Sequence, residues 1–290
     1  MALSKPIPSV GLGAMSLCIN DNRPSLAESI HMIESLIGEH GLTYIDTADC
    51  YALGEEEFGY GERLVAPFMG RDGVTVASKI GMTRTGKAWG RRGDPAYLRP
   101  ACESSLKNLG VESIELCQFH TPDPSVPIEE SIGEMARLRE EGKIQNIGVS
   151  NFYSTEELDR ALAVTEIVSI QNPLSILFYN HESHEPFVQE CAERGVRVIT
   201  YAPMGGHRQP EALQSVEPFV QIADAAGLSV HQLALLFLKS LSPTLTSIPG
   251  SISKEHIINN LSVNAMALPD AALARVHEVI RAEKANAVEE

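Results

Sequence analysis

Short apolar runs alternate with longer amphipathic stretches along the whole chain, and this rhythm limits the possible folds more than any single motif does. Runs at residues 9–15, 43–45, 74–78, 114–119, 144–149, 167–170, 197–200 and 245–248 read as buried strands. Between them lie helical patterns at residues 24–39, 62–68, 94–109, 128–141, from 154, 185–194, 216–226, 230–240 and 254–261, with a last helix from 269. Start and stop signals support these bounds. Residues 24–39 are apolar at 27, 30, 33, 36 and 37, and Gly38 and Gly41 flank their end. Asp94-Pro95 is an N-cap followed by a first-turn proline, and Gly110 stops the same helix. Strands that alternate with helices pair in parallel, and the chain shows eight such units with no linker, charge block or low-complexity break. The fold this predicts is α/β, a (β/α)8 TIM barrel forming a single domain over residues 1–290.

Composition narrows the partners. A net charge of −15 argues against sequence-independent nucleic-acid binding, which needs a basic face. No run approaches the ~18 apolar residues of a membrane span, and the N-terminus lacks a leader pattern. Cys18, Cys50, Cys102, Cys117 and Cys191 are odd in number and scattered, without a C-x-x-C. They read as reduced, packed thiols, which points to the cytoplasm.

Three strands run directly into ionisable residues: Asp46 after 43–45, Lys79 after 74–78, and His120 after 114–119. Tyr51 follows Asp46 by five residues in a polar loop. In a parallel barrel all these strand ends open at one mouth, where catalytic groups collect. A buried lysine there needs a carboxylate, and Asp46 is the available one. An ammonium beside Tyr51 would pull its pKa down from ~10 towards neutrality and make it a proton donor. His120 would then converge with Tyr51 on one carbonyl oxygen. No third ligand accompanies His181 and His184, so no metal site is expected.

Later strand ends repeat the polar theme with Ser150-Asn151, Gln171-Asn172 and Tyr201. Amides beside one aromatic face suit a flat heteroaromatic carboxamide. The small-residue loop 248–253 opens a helix at Lys254, a terminus that favours phosphate. Gly11-Leu12-Gly13-Ala14-Met15-Ser16 only half-matches a dinucleotide fingerprint and reads better as a tight turn at the mouth. Loop 82–93 carries Arg84, Lys87, Arg91 and Arg92, with no acid before Asp94 and with Trp89 as a candidate apolar wall. Such a basic island would draw anionic carbonyl substrates to the mouth.

Taken together, these residues resemble the aldo-keto reductase superfamily across nearly the whole chain. The most specific pieces are Asp46-Thr47-Ala48 with Tyr51, Lys79 closing VASKI, and His120; GKIQNIGVSNF at 142–152, YAPMG at 201–205 and IPGS at 248–251 add to them. The resemblance implies NADPH-dependent reduction of an aldehyde or ketone, or the reverse oxidation. It makes Tyr51 the general acid, assisted by Lys79 and Asp46, with His120 orienting the carbonyl. It places Ser150, Asn151 and Gln171 on the nicotinamide carboxamide and Tyr201 against the ring. Ala202, Met204 and Gly205 would border the pyrophosphate. Ser251, Ser253 and Asn260, with Lys254 and His256 nearby, would surround the adenosine 2′-phosphate and adenine. The connection at 52–61 is longer than the family's usual one, Gly250 and Asn259 depart from common residues, and no long C-terminal loop covers the mouth, so an open substrate site is expected. A regulatory NADP-binding subunit like the potassium-channel β-subunits is the alternative the same resemblance allows.

Overall fold

In the computed structural model, which describes residues 6–86, 88–206 and 211–289, ten strands are found in chain order. They are β1 (Leu12–Gly13), β2 (Tyr44–Asp46), β3 (Thr75–Ile80), β4 (Met82–Thr85), β5 (Ala88–Arg91), β6 (Ile114–Phe119), β7 (Ile144–Ser150), β8 (Ser169–Pro173), β9 (Arg197–Tyr201) and β10 (Leu245–Ser247). Eight of them form one parallel sheet in the order β1-β2-β3-β6-β7-β8-β9-β10, with a helix after most strands. The two outer strands meet. Gly11 N donates to Ser247 O (2.9 Å), Ser247 N to Ser9 O (2.7 Å) and Gly13 N to Pro249 O (3.2 Å), which closes the sheet into the (β/α)8 barrel.

Register determines what fills the barrel. Residues in register on parallel strands share a face, as do residues two apart. Asp46 is opposite Ala77, Lys79 opposite Gln118, Gln118 opposite Gly148, and Ser150 opposite Gln171. All of them therefore point inward. Beneath, Tyr44, Ala77, Leu116 and Ile199 form a buried apolar floor with Ile7 and Ile248. Asp46, Lys79 and Gln118 sit two residues beyond Tyr44, Ala77 and Leu116, so each strand contributes an apolar plug and then a polar group. Gly148 leaves room for this layer, since a Cβ there would lie 2.9 Å from Gln118 Cγ and 2.4 Å from Ser169 Oγ.

Caps fix the helix ends, those at Asp94, Gly41 and Gly110 as predicted and that at Ser25 in addition. Ser25 forms a capping box with Glu28 on Leu26–His40, and Asp94 accepts from Tyr97 N at the start of Pro95–Leu109. Gly41 and Gly110 end these two helices at φ +68° and +69°. All five cysteines are free and buried. Among the described residues, no single helix is long and apolar enough to cross a membrane.

Three elements differ from the sequence reading. Residues 82–93 contain the antiparallel hairpin β4–β5 where a plain loop is expected. Arg84 holds it down, donating to Ala52 O with its guanidinium 4.5 Å over the Trp89 ring. β8 runs on through Gln171 and Asn172, paired to β9, because both amides find buried partners, Gln171 on Asp46 inside the barrel and Asn172 on Phe152 O outside it, so polarity does not mark its end. The helix His181–Glu193 begins four residues before 185, since Asn180 caps it by accepting from Glu182 N (2.9 Å).

One contact at the barrel seam is testable. The Asn264 amide accepts from Val10 N and donates to Val10 O, both at 2.9 Å, as a further strand would. Asn264→Ala should lower the unfolding free energy by about 1–3 kcal/mol, because it strands both backbone groups. Urea titration checks this as a reduced midpoint at unchanged slope; an unchanged midpoint would show that water replaces the amide.

Candidate active site

β2 and β3 bring Asp46 and Lys79 together inside the barrel mouth. Lys79 is wholly buried, and its ammonium uses all three donors: Asp46 Oδ1 at 2.5 Å, Thr47 O at 2.8 Å and Tyr51 Oη at 3.2 Å. The second carboxylate oxygen of Asp46 accepts from Gln118 Nε2 (3.0 Å) and Gln171 Nε2 (2.8 Å). Gln118 was not singled out from the sequence. The signal available is a glutamine inside an otherwise apolar strand, which must have a buried partner.

The segment after β2 stays on β3, with Thr47 N bonded to Ala77 O and Asp49 N to Lys79 O, before turning back at Tyr51. Gly61 permits that turn, since a Cβ there would come within 2.5 Å of Thr47 Oγ1 and 3.1 Å of Tyr51 Cβ. The protonation state of Tyr51 corrects the sequence reading. Burial, reinforced by the Asp46 carboxylate, pushes its pKa well above the usual 10, outweighing the ammonium beside it. The resting phenol is therefore firmly neutral. Its oxygen accepts from Lys79, which leaves its own proton available to the cavity.

His120 follows β6, with its ring edge-on to Tyr51 at a centroid distance of 5.7 Å and 77° between planes. Burial, helped by the Lys79 charge, holds its pKa well below 6.5, so the ring is neutral. Its Nδ1 lies 3.7 Å from Cys50 Sγ.

A cavity of about 1390 Å³ opens over these groups, larger than the ~300–1,000 Å³ of ordinary small-molecule pockets. Asp46, Tyr51, His120, Ser150, Asn151, Gln171, Tyr201, Ala202, Met204, Ser251, Asn260 and Trp89 all line it. Lys79 lies just beneath. Gly205 and Ser253 do not line it; Ser253 instead caps the helix Lys254–Ser262 through His256 N (3.3 Å). Lys254 also misses the cavity, its ammonium turned to Ser35 Oγ at 2.7 Å. In its place His231, His256 and Asn259 face the same end.

The polar wall is held taut. Asn151 Nδ2 donates to His120 O (2.9 Å), and its Oδ1 accepts from Tyr201 Oη (2.8 Å) and Tyr153 Oη (2.9 Å). Asn151 and Ala202 have φ of +61° and +52°, a left-handed conformation costing roughly 1–2 kcal/mol in a non-glycine residue. Both follow barrel strands at the mouth, where such strain tends to collect.

The basic island largely dissolves. Arg84 is buried under Trp89, Arg92 pairs with Asp94 (3.0 Å), and Lys87 lies outside the described residues. Arg91 does line the cavity, but Asp123 lies close enough to feel its charge. Among the described residues, the loop gives no concentrated positive patch for anionic substrates.

The cavity's two ends carry the donor set a dinucleotide needs: amides and an aromatic ring near Tyr51, small hydroxyls, amides and imidazoles near Ser251. Comparison with known proteins agrees. A model of the aldo/keto reductase family matches residues 9–281. A probable aldo-keto reductase 1 from Glycine max is 28% identical over 301 residues, covering 94% of this chain and 86% of its own. An aldo-keto reductase from Klebsiella pneumoniae, solved in complex with NADPH, matches with a TM-score of 0.77 and 26% identity over 94% and 91% of the two chains. The glycerol dehydrogenase of Gluconobacter oxydans matches with a TM-score of 0.81 over 96% and 93%; at 24% identity it supports the fold alone.

The neutral state of His120 makes a prediction about stability. Its folded pKa lies below its unfolded value, so the unfolded chain binds the extra proton as pH falls below ~6.5. Stability should then decline, by up to ~1.4 kcal/mol per pH unit from this group alone. Urea unfolding at pH 7 and pH 5.5 should show a smaller acid loss for His120→Asn than for wild type. An identical loss would mean that His120 takes up its proton while folded.

Proposed function

The chain belongs to the aldo/keto reductase family, and from that premise we propose that it reduces the carbonyl of a small aldehyde or ketone with NADPH, and runs the reverse oxidation. The observation that carries this reading is the bond from Lys79 Nζ to Tyr51 Oη at the floor of the cavity. It leaves a neutral phenol with its proton free for a substrate oxygen.

NADPH, when bound, supplies the hydride to the carbonyl carbon. Tyr51 gives its proton to the carbonyl oxygen and becomes a phenolate. In the resting site burial keeps the proton on; once it leaves, the ammonium 3.2 Å away stabilises the charge that remains. The Asp46 carboxylate, 2.5 Å from the Lys79 nitrogen, compensates the buried ammonium. The protein thus lowers the barrier to proton transfer without holding a phenolate in advance. Ser150, Asn151 and Gln171 would hold the carboxamide. Gln171 fits this role because its Nε2 is committed to Asp46, which fixes the amide plane and aims Oε1 elsewhere. Tyr201, held by Asn151 through its hydroxyl, offers a fixed ring face. Ser251, His256 and Asn260, which line the cavity, would meet the adenosine end.

Tyr51→Phe should lose at least ~10²-fold in kcat, the scale of general acid catalysis, while NADPH still binds. Absorbance of NADPH across a panel of aldehydes and ketones gives the first quantity, and fluorescence titration the second. Near wild-type turnover would remove Tyr51 as the acid.

A further inference from the structure

Behind His120, on the side away from the cavity, lies a polar cluster that proton donation by Tyr51 does not use. Cys50 Sγ is 3.7 Å from His120 Nδ1, and the Asp49 carboxyl is hydrogen-bonded to the Cys50 side chain. One polar atom from each of the three residues lies within 4.8 Å of the others, and all three residues are buried. Asp49 cannot drift, because its N–H is bonded to Lys79 O (3.1 Å) and its carbonyl accepts from Gly59 N (2.7 Å).

We propose that Asp49 and Cys50 are positioning residues: a chain of hydrogen bonds runs from the Asp49 carboxyl through the Cys50 thiol to His120 Nδ1, and so keeps the His120 proton on Nε2. This rests on the reductase reading, because only there does the tautomer matter. A neutral imidazole has one donor and one acceptor nitrogen. With Nδ1 accepting from the thiol, Nε2–H is left as a second donor beside the Tyr51 hydroxyl. With Nδ1 donating, Nε2 would present a lone pair and repel the carbonyl oxygen.

The surrounding charges favour the first direction. Burial, with Glu62 of the helix Tyr60–Val65 nearby, pushes the Asp49 pKa well above the usual carboxylate range, in favour of the protonated acid that can donate. Burial likewise pushes the Cys50 pKa up and keeps its proton on sulfur. Lys79 on β3 opposes both but is weaker than burial in each case. Tyr97, on Pro95–Leu109, faces Asp49 with its own pKa raised, so it brings no charge. The three residues also have metal-ligand chemistry, but a cation would need the thiolate and carboxylate that this burial disfavours.

The test reads the tautomer directly. In 15N-labelled wild type free of nicotinamide and substrate, long-range 1H–15N spectra should give His120 a pyrrole-type Nε2 and a pyridine-type Nδ1, with His120→Asn identifying the signals. The opposite pattern overturns the proposal. Cys50→Val should mix the tautomers and lower kcat/KM about 10-fold or more, towards the cost of losing one oxyanion donor. Cys50→Ser should restore most of both, since a hydroxyl also donates. A Cys50→Val protein that keeps the wild-type tautomer and kcat/KM would overturn the proposal as well. Failure of wild type to reduce any carbonyl would instead remove the reductase reading and leave the measured tautomer standing.

Discussion

A lysine with no exposure to solvent must be paid for by its partners, and the interior of this barrel is arranged around doing so. The Lys79 ammonium has three donors and three acceptors, and the Asp46 carboxylate that neutralises it is itself held by two glutamines. Removing one member of such a pair strands the other, at a cost of roughly 3–5 kcal/mol. The third acceptor of Lys79 is a tyrosine at the cavity floor. The interaction that satisfies the buried charge is thus the same one that orients the hydroxyl proposed as the acid. On the proposed mechanism, stability and chemistry share that one bond.

The apolar floor below makes this possible. Tyr44, Ala77, Leu116 and Ile199 plug the barrel, so the polar layer is separated from water beneath and meets only the cavity above. Confinement raises the Tyr51 pKa and lowers that of His120, so both groups are neutral at rest. On the proposed mechanism the ammonium acts mainly on the phenolate that forms, where its attraction is not offset by a resting charge.

Much of this was legible in the sequence because strand ends are. Asp46, Lys79 and His120 each terminate an apolar run, and a parallel barrel necessarily gathers such ends at one mouth. What could not be read depends on the third dimension. Gln118 and Gln171 are interior polar residues whose partners are remote in sequence, so polarity alone suggested a strand end for Gln171 and nothing for Gln118. Arg84 looks like a solvated charge until the hairpin folds it beneath Trp89. Lys254 begins the expected helix but turns to Ser35, a contact fixed by how two distant helices pack. The sequence shows Tyr51 only its charged neighbour, whereas burial, which has no local signature, decides the direction of its pKa.

The central claim is that this buried constellation delivers a proton to a carbonyl while NADPH reduces it. Label transfer tests that most directly. NADPH deuterated at its transferable C4 position is incubated with the protein and a panel of unlabelled aldehydes and ketones, and the products are analysed by mass spectrometry. The account predicts an alcohol carrying deuterium on the former carbonyl carbon. Tight binding of NADPH with no labelled alcohol from any member of the panel would contradict it, and would make the protein a nucleotide-binding regulator built on a reductase site.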